Sequence, residues 1–152
     1  MGCFTSNKYD DNLLGKETKK VIFFCVKPTV FRNQFHKIPS NLHQHSNNNV
    51  VISVMAGITL TEIKKSFQKT NSSDKIPYLI RIMLTTACAI GHGICAISTQ
   101  DEDEDSKAID STKLLSFLSP LGCCNVIPEC QMDVACGLGG SGIAFVILKT
   151  LF

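Results

Sequence analysis

Short apolar runs separated by one capped helix constrain this chain most. Val21-Ile22-Phe23-Phe24-Cys25-Val26 and Val50-Val51-Ile52-Ser53-Val54 are continuous, rich in β-branched or aromatic residues, and of strand length. Tyr78-Leu79-Ile80-Arg81-Ile82-Met83-Leu84 is a third such run, ending before Gly91-His92-Gly93. Between the second and third, Thr59-Leu60-Thr61-Glu62 has the hydroxyl-then-carboxylate spacing of a capping box. Leu60, Ile63 and Phe67 then recur on one helical face, and the helix is predicted to stop near Thr70-Asn71-Ser72-Ser73. Residues 111–118 predict a second short helix, stopped by Pro120 and Gly122. Strands covered on both faces read as unbroken apolar runs, so the pattern predicts an α/β fold: a mostly parallel sheet flanked by helices.

At 152 residues the chain is long enough for one real core. Residues 1–19 are polar and read as a flexible arm, residues 20–152 as the folded domain, and residues 33–49 as a long surface loop. A net charge of +2, with no basic stripe interleaved with aromatics, gives nucleic-acid binding no electrostatic support. The eight cysteines include no C-x-x-C pair and follow no secretory signal, so they are expected to be reduced thiols in a cytoplasmic protein. No cofactor and no metal are expected. His36, His43 and His45 offer an H-x-H pair in an Asn-rich loop, a weak signal for a metal, and the acidic run 101–105 lacks the turn of a calcium loop and reads as a solvated loop.

Two features bear on membranes. Met1-Gly2-Cys3-Phe4-Thr5-Ser6 fits the N-myristoylation pattern at Gly2, with Cys3 placed for a second acyl chain, which would give peripheral membrane attachment. Residues 79–98 and 134–152 each approach the length of a spanning helix. Arg81 and His92 interrupt the first and four glycines the second, so both are expected to be buried strands instead.

The chemistry-bearing pattern is Gly91-His92-Gly93 followed by Val134-Ala135-Cys136-Gly137 and the glycine-rich Leu138-Gly139-Gly140-Ser141-Gly142. A cysteine nucleophile needs an imidazole to take its proton and backbone N–H groups to hold an oxyanion. His92 and Cys136, each after an apolar run, are expected at the carboxyl ends of neighbouring strands, with the backbone N–H groups of Gly93 and Cys136 as oxyanion donors.

On these residues the chain resembles the large-subunit half of a caspase. The Gly-His-Gly form is that of metacaspases and paracaspases, and the resemblance spans roughly residues 20–145. It implies a caspase-like sheet without its small-subunit part and a cysteine endopeptidase with His92 and Cys136 as dyad. A protein substrate or a caspase partner chain is the implied partner, with a role in apoptosis or related proteolysis. Val134 stands where caspases carry a glutamine and Gly137 where they carry an arginine; Arg32 is the only arginine near the first strand. These departures point to an inactive domain that regulates a full caspase. The alternative is an acylated, membrane-attached regulatory protein without enzymatic activity, worked by Gly2 and Cys3.

Overall fold

A computed structural model describes residues 21–35, 49–70, 76–100 and 111–151. Gly2, Cys3, the 1–19 arm, the three loop histidines, the end of the predicted helix at Asn71-Ser72-Ser73 and the acidic run all lie outside those residues.

The described residues form one five-stranded sheet in the order β1-β2-β3-β4-β5. Strands β1 (Val21–Phe24), β2 (Val50–Ser53) and β3 (Tyr78–Leu84) run parallel, as the apolar runs predict. Helix α1 (Pro28–Gln34) connects β1 toward β2, beginning on a proline that fits the first helical turn. It takes the first two positions of the segment read as a loop. Helix α2 (Leu60–Thr70) connects β2 to β3.

The sheet then departs from a purely parallel pattern. Strand β4 (Gly93–Thr99) pairs antiparallel with β3. The cause is the connection: a single 3-10 turn, Thr86–Ile90, is too short for the crossover of a dozen or more residues that parallel pairing requires. Strand β5 (Gly122–Val126) is parallel to β4, across a longer connection that carries α3 (Ser111–Leu118). Gly93 and Gly122 are register partners, and a Cβ on Gly122 would collide with the backbone of Gly93. Gly122 also holds φ +128°, so this approach of β5 to β4 requires glycine at position 122.

Side-chain alternation sorts the core into two faces. On one face Phe24, Val51 and Leu79 meet Phe31 and Phe35 from the end of α1, and Leu60, Ile63 and Phe67 of α2. Farther along that face Met83 and Ala96 meet Met132. On the opposite face Ile52, Ile80, Ile82, Cys95 and Ile97 meet Leu114 and Leu118 of α3.

Of the run 134–152, expected as a buried strand, the described residues 134–151 are helical. A 3-10 turn (Glu129–Gln131), helix α4 (Met132–Ala135), a π-helical segment (Cys136–Ser141) and helix α5 (Gly142–Leu151) follow without a break. Gly137, Gly139 and Gly140 fall in the π segment, where the absence of side chains accommodates a widened turn, and a regular apolar helix resumes after it. By length and composition this rod, Glu129–Leu151, could cross a membrane. Phe145, Val146, Ile147, Leu148 and Leu151 are all exposed.

Candidate functional site

The carboxyl ends of β1, β2 and β3 lie along one edge of the sheet, and antiparallel β4 starts at that same edge. Loops at this edge are where an α/β sheet places its working groups. Three segments adjoin this edge: Lys27 at the start of α1, the turn through Gly57 into α2, and Thr85–His92 ahead of β4. Gly57 needs its glycine for φ +68°, and a Cβ there would meet nothing within 4 Å. Thr85 Oγ1 accepts the Ile94 N–H at 2.9 Å, tying the last loop to β4.

The helical rod reaches this edge from the side. A Cβ on Gly139 would lie 3.1 Å from Met83 Cε, near the end of β3. What brings the rod there is Arg81, an arginine in the middle of a buried strand and only 2% exposed. Its Nη1 donates to Glu129 Oε1 and its Nη2 to Asp133 Oδ1, both at 2.9 Å. Spacing of four puts those two carboxylates on one helical face. Glu129 Oε1 also accepts the Leu60 N–H at 3.0 Å, while Thr59 Oγ1 accepts the Glu62 N–H at 3.1 Å. The start of α2 is thus capped from two directions, and the distant cap carries the charge that a helix N-terminus favours. Only half of the capping box closes. The Glu62 carboxylate turns outward to Arg32, with Nε to Oε1 at 2.8 Å.

Burial by itself would push the Arg81 guanidinium down. The hydrogen bonds and charges of Asp133 and Glu129 outweigh it and hold the group above its ordinary value. Arg81 therefore stays charged, and the network joins strand β3, helix α2 and the rod.

The residues singled out in the sequence are placed differently. His92 is exposed at the entrance to β4. Cys136 sits in the helical rod rather than in a turn, partly buried beside Met83, Ala96 and Met132. Ala96 is four residues beyond His92, or roughly 13 Å along a strand. The Cys136 N–H, expected to serve an oxyanion, bonds back to Met132 and Asp133 carbonyls. Burial pushes the Cys136 thiol up; Arg81 pulls it down and Asp133 adds to the rise, leaving the net shift upward, away from thiolate. Gly93 is buried within the sheet, where a side chain would strike Cys88.

Sequence reasoning missed the Arg81–Glu129–Asp133 network. Its signal was one arginine inside an otherwise apolar strand, with two carboxylates four apart downstream. A further pattern also went unread. Gly137-Leu138-Gly139-Gly140-Ser141-Gly142 has the G-x-G-x-x-G spacing of a dinucleotide fingerprint, and Gly91-His92-Gly93-Ile94-Cys95-Ala96 its alanine variant. The fingerprint requires a strand, a tight turn and then a helix. The first run follows helix α4, and the second enters a strand.

No protein-family model matches the chain. Among curated proteins, pyrroline-5-carboxylate reductase of Kluyveromyces lactis is 32% identical over 141 residues, covering 91% of this chain and 43% of that protein. Pyrroline-5-carboxylate reductase 3 of Bos taurus is 30% identical over 148 residues, covering 96% of this chain and 42% of that protein. Among solved structures, the Plasmodium falciparum pyrroline carboxylate reductase with NADP bound superposes with a TM-score of 0.65 at 21% identity, over 84% of this chain and 46% of the other. The Coxiella burnetii pyrroline-5-carboxylate reductase gives 0.63 at 21%, over 85% and 44%. The chain spans under half the length of these relatives.

These likenesses overturn the caspase resemblance. They run along nine-tenths of the chain, whereas the caspase motifs were two short ones. The cysteine endopeptidase, the regulator of a full caspase and the apoptotic role fall with it. What stands is the mixed α/β architecture with a mainly parallel five-stranded sheet, shared with the solved reductases.

Proposed function

We propose that this chain is part of a pyrroline-5-carboxylate reductase, an oxidoreductase acting on a cyclic imine that carries a carboxylate. The single observation behind the reading is identity of 32% and 30% to two such reductases along more than nine-tenths of the chain. The sheet is read as the outward-running half of a Rossmann-like fold. Both crossover helices, α1 and α2, pack on one face, and the strand order advances in one direction without reversal. With right-handed crossovers, a doubly wound sheet opens its binding crevice where that order reverses. Such a reversal would lie beyond β1, whose Val21 and Phe23 are 57% and 46% exposed.

The described residues do not fit the pyrophosphate of a nicotinamide dinucleotide. Both glycine-spaced runs lack the strand-to-helix turn that would aim backbone N–H groups at it. The contribution read for this chain is therefore positional. Arg81, Glu129 and Asp133 set the glycine-rich rod against Met83, beside the carboxyl edge of the sheet.

The test is a chimera in which residues 21–151 replace the matching segment of the Kluyveromyces lactis reductase. Substrate-dependent oxidation of the reduced nicotinamide cofactor is the readout. Retained turnover is expected. A chimera with native-like circular dichroism and cooperative melting, but turnover at background, would overturn the reading.

A further inference from the structure

Outside the carboxyl edge, the densest reactive chemistry in the described fold is a group of thiols between β4 and β5. Cys95 and Cys124 are register partners in these parallel strands. Neighbouring strands run about 4.8 Å apart, inside the Cα separation a disulfide spans. Both side chains lie on the same face: Cys95 is fully buried in the cluster beneath α3, and Cys124, half-buried, packs against that cluster. Cys124 Sγ donates to the Leu118 carbonyl at 3.4 Å and to the Gly122 carbonyl at 3.7 Å, which fixes it at the rim of the cluster. A third thiol, Cys88, donates to the Ile94 carbonyl at 3.7 Å, one residue before Cys95. Adjacent Cys123 alternates to the other side of the strand, where Asn125 Nδ2 donates to its sulfur at 3.4 Å. Among the described residues no set of three or more His, Cys, Asp or Glu side chains has the geometry to hold a metal ion, so the pair is not read as part of a metal centre.

We propose that Cys95 and Cys124 form a dithiol modification site that closes to a cross-strand disulfide by exchange with a low-molecular-weight disulfide such as oxidised glutathione. The half-buried Cys124 thiolate attacks one sulfur of that reagent. A mixed disulfide forms and the first small thiolate leaves. Cys95, as thiolate, then attacks the Cys124 sulfur, the protein disulfide forms and the second small thiolate leaves. The two protein thiols are oxidised, the reagent is reduced to two thiols, and the two protons released go to the leaving thiolates. Burial, with Cys124 and then Cys88 beside it, pushes the Cys95 thiol up to about 12. The second step is therefore slow near neutrality and accelerates as pH rises. Closure would fasten β5 to β4, just ahead of the segment that carries Glu129 and Asp133 to Arg81.

The experiment treats the full reduced chain with oxidised glutathione, unfolds it in denaturant, labels remaining thiols with N-ethylmaleimide and maps the label by fragmentation mass spectrometry. Label is expected to vanish from Cys95 and Cys124 together, with one peptide pair joined between them and faster closure at higher pH. Cys124→Ser should leave Cys95 fully labelled, and Cys88→Ser should leave the bond intact. Because Cys95→Ser alters a buried position, the half-buried Cys124→Ser is the deciding variant. A Cys95 that keeps its label in the oxidised wild-type chain, or loses it equally in Cys124→Ser, would overturn the site.

Discussion

Helix α2 and the rod Glu129–Leu151 pack on the same face of one sheet, on either side of Arg81, and they are held by different means. On the α2 side the joint is apolar. Phe67 stacks on Phe24 with ring centroids 6.2 Å apart and meets Phe35 edge-on at 5.0 Å, and Ile63 is fully buried below them. On the rod side a single residue, Met132, is fully buried in a small cluster with Met83 and Ala96, and two carboxylates fasten the rod to one guanidinium. Hydrocarbon burial is non-directional and strong in sum, whereas an ion pair fixes orientation and contributes little net stability. The contrast teaches that the first region is a fold core and the second a positioning joint.

The comparison can be broken by substitution. Phe67→Ala should be the most damaging, at about 4 kcal/mol, because it opens a cavity against the rings of Phe24 and Phe35; chemical denaturation measures it. Glu129→Ala should follow at about 3 kcal/mol, since it strips the buried Arg81 of its better-shielded partner and leaves the Leu60 N–H without its acceptor. Thr59→Ala should cost about 1 kcal/mol through the lost cap on α2. Asp133→Ala should cost least, about 0.5 kcal/mol, because its side chain is 73% exposed and water screens the pair. An Asp133 effect equal to that of Glu129 would mean that the two carboxylates share the joint evenly, contrary to their burial.

Much of the sheet was legible in the sequence because its elements answer to local rules. The three parallel strands announced themselves as apolar runs, and α2 by its Thr59 cap and the Leu60, Ile63, Phe67 stripe. The reversal at β4 depends on a connection length, visible only once Thr86–Ile90 is known to be a single turn. The rod was misread because apolar residues 134–152 fit a strand as well as a helix, and periodicity does not separate the two when nearly every position is apolar. The site was illegible for a related reason. His92 and Cys136 caught the eye as reactive types in glycine-rich settings. The geometry turns instead on Arg81, whose partners lie 48 and 52 residues downstream and come to it only through folding.

By this contrast the rod is a separate, charge-docked body beside an apolar core. Native-state hydrogen exchange, read residue by residue, tests it most directly. Amides of Ile63–Phe67 and of β3 should exchange only through global unfolding, while those of Gly142–Leu151 should exchange far faster through local detachment. Equal protection of the two regions would contradict the claim.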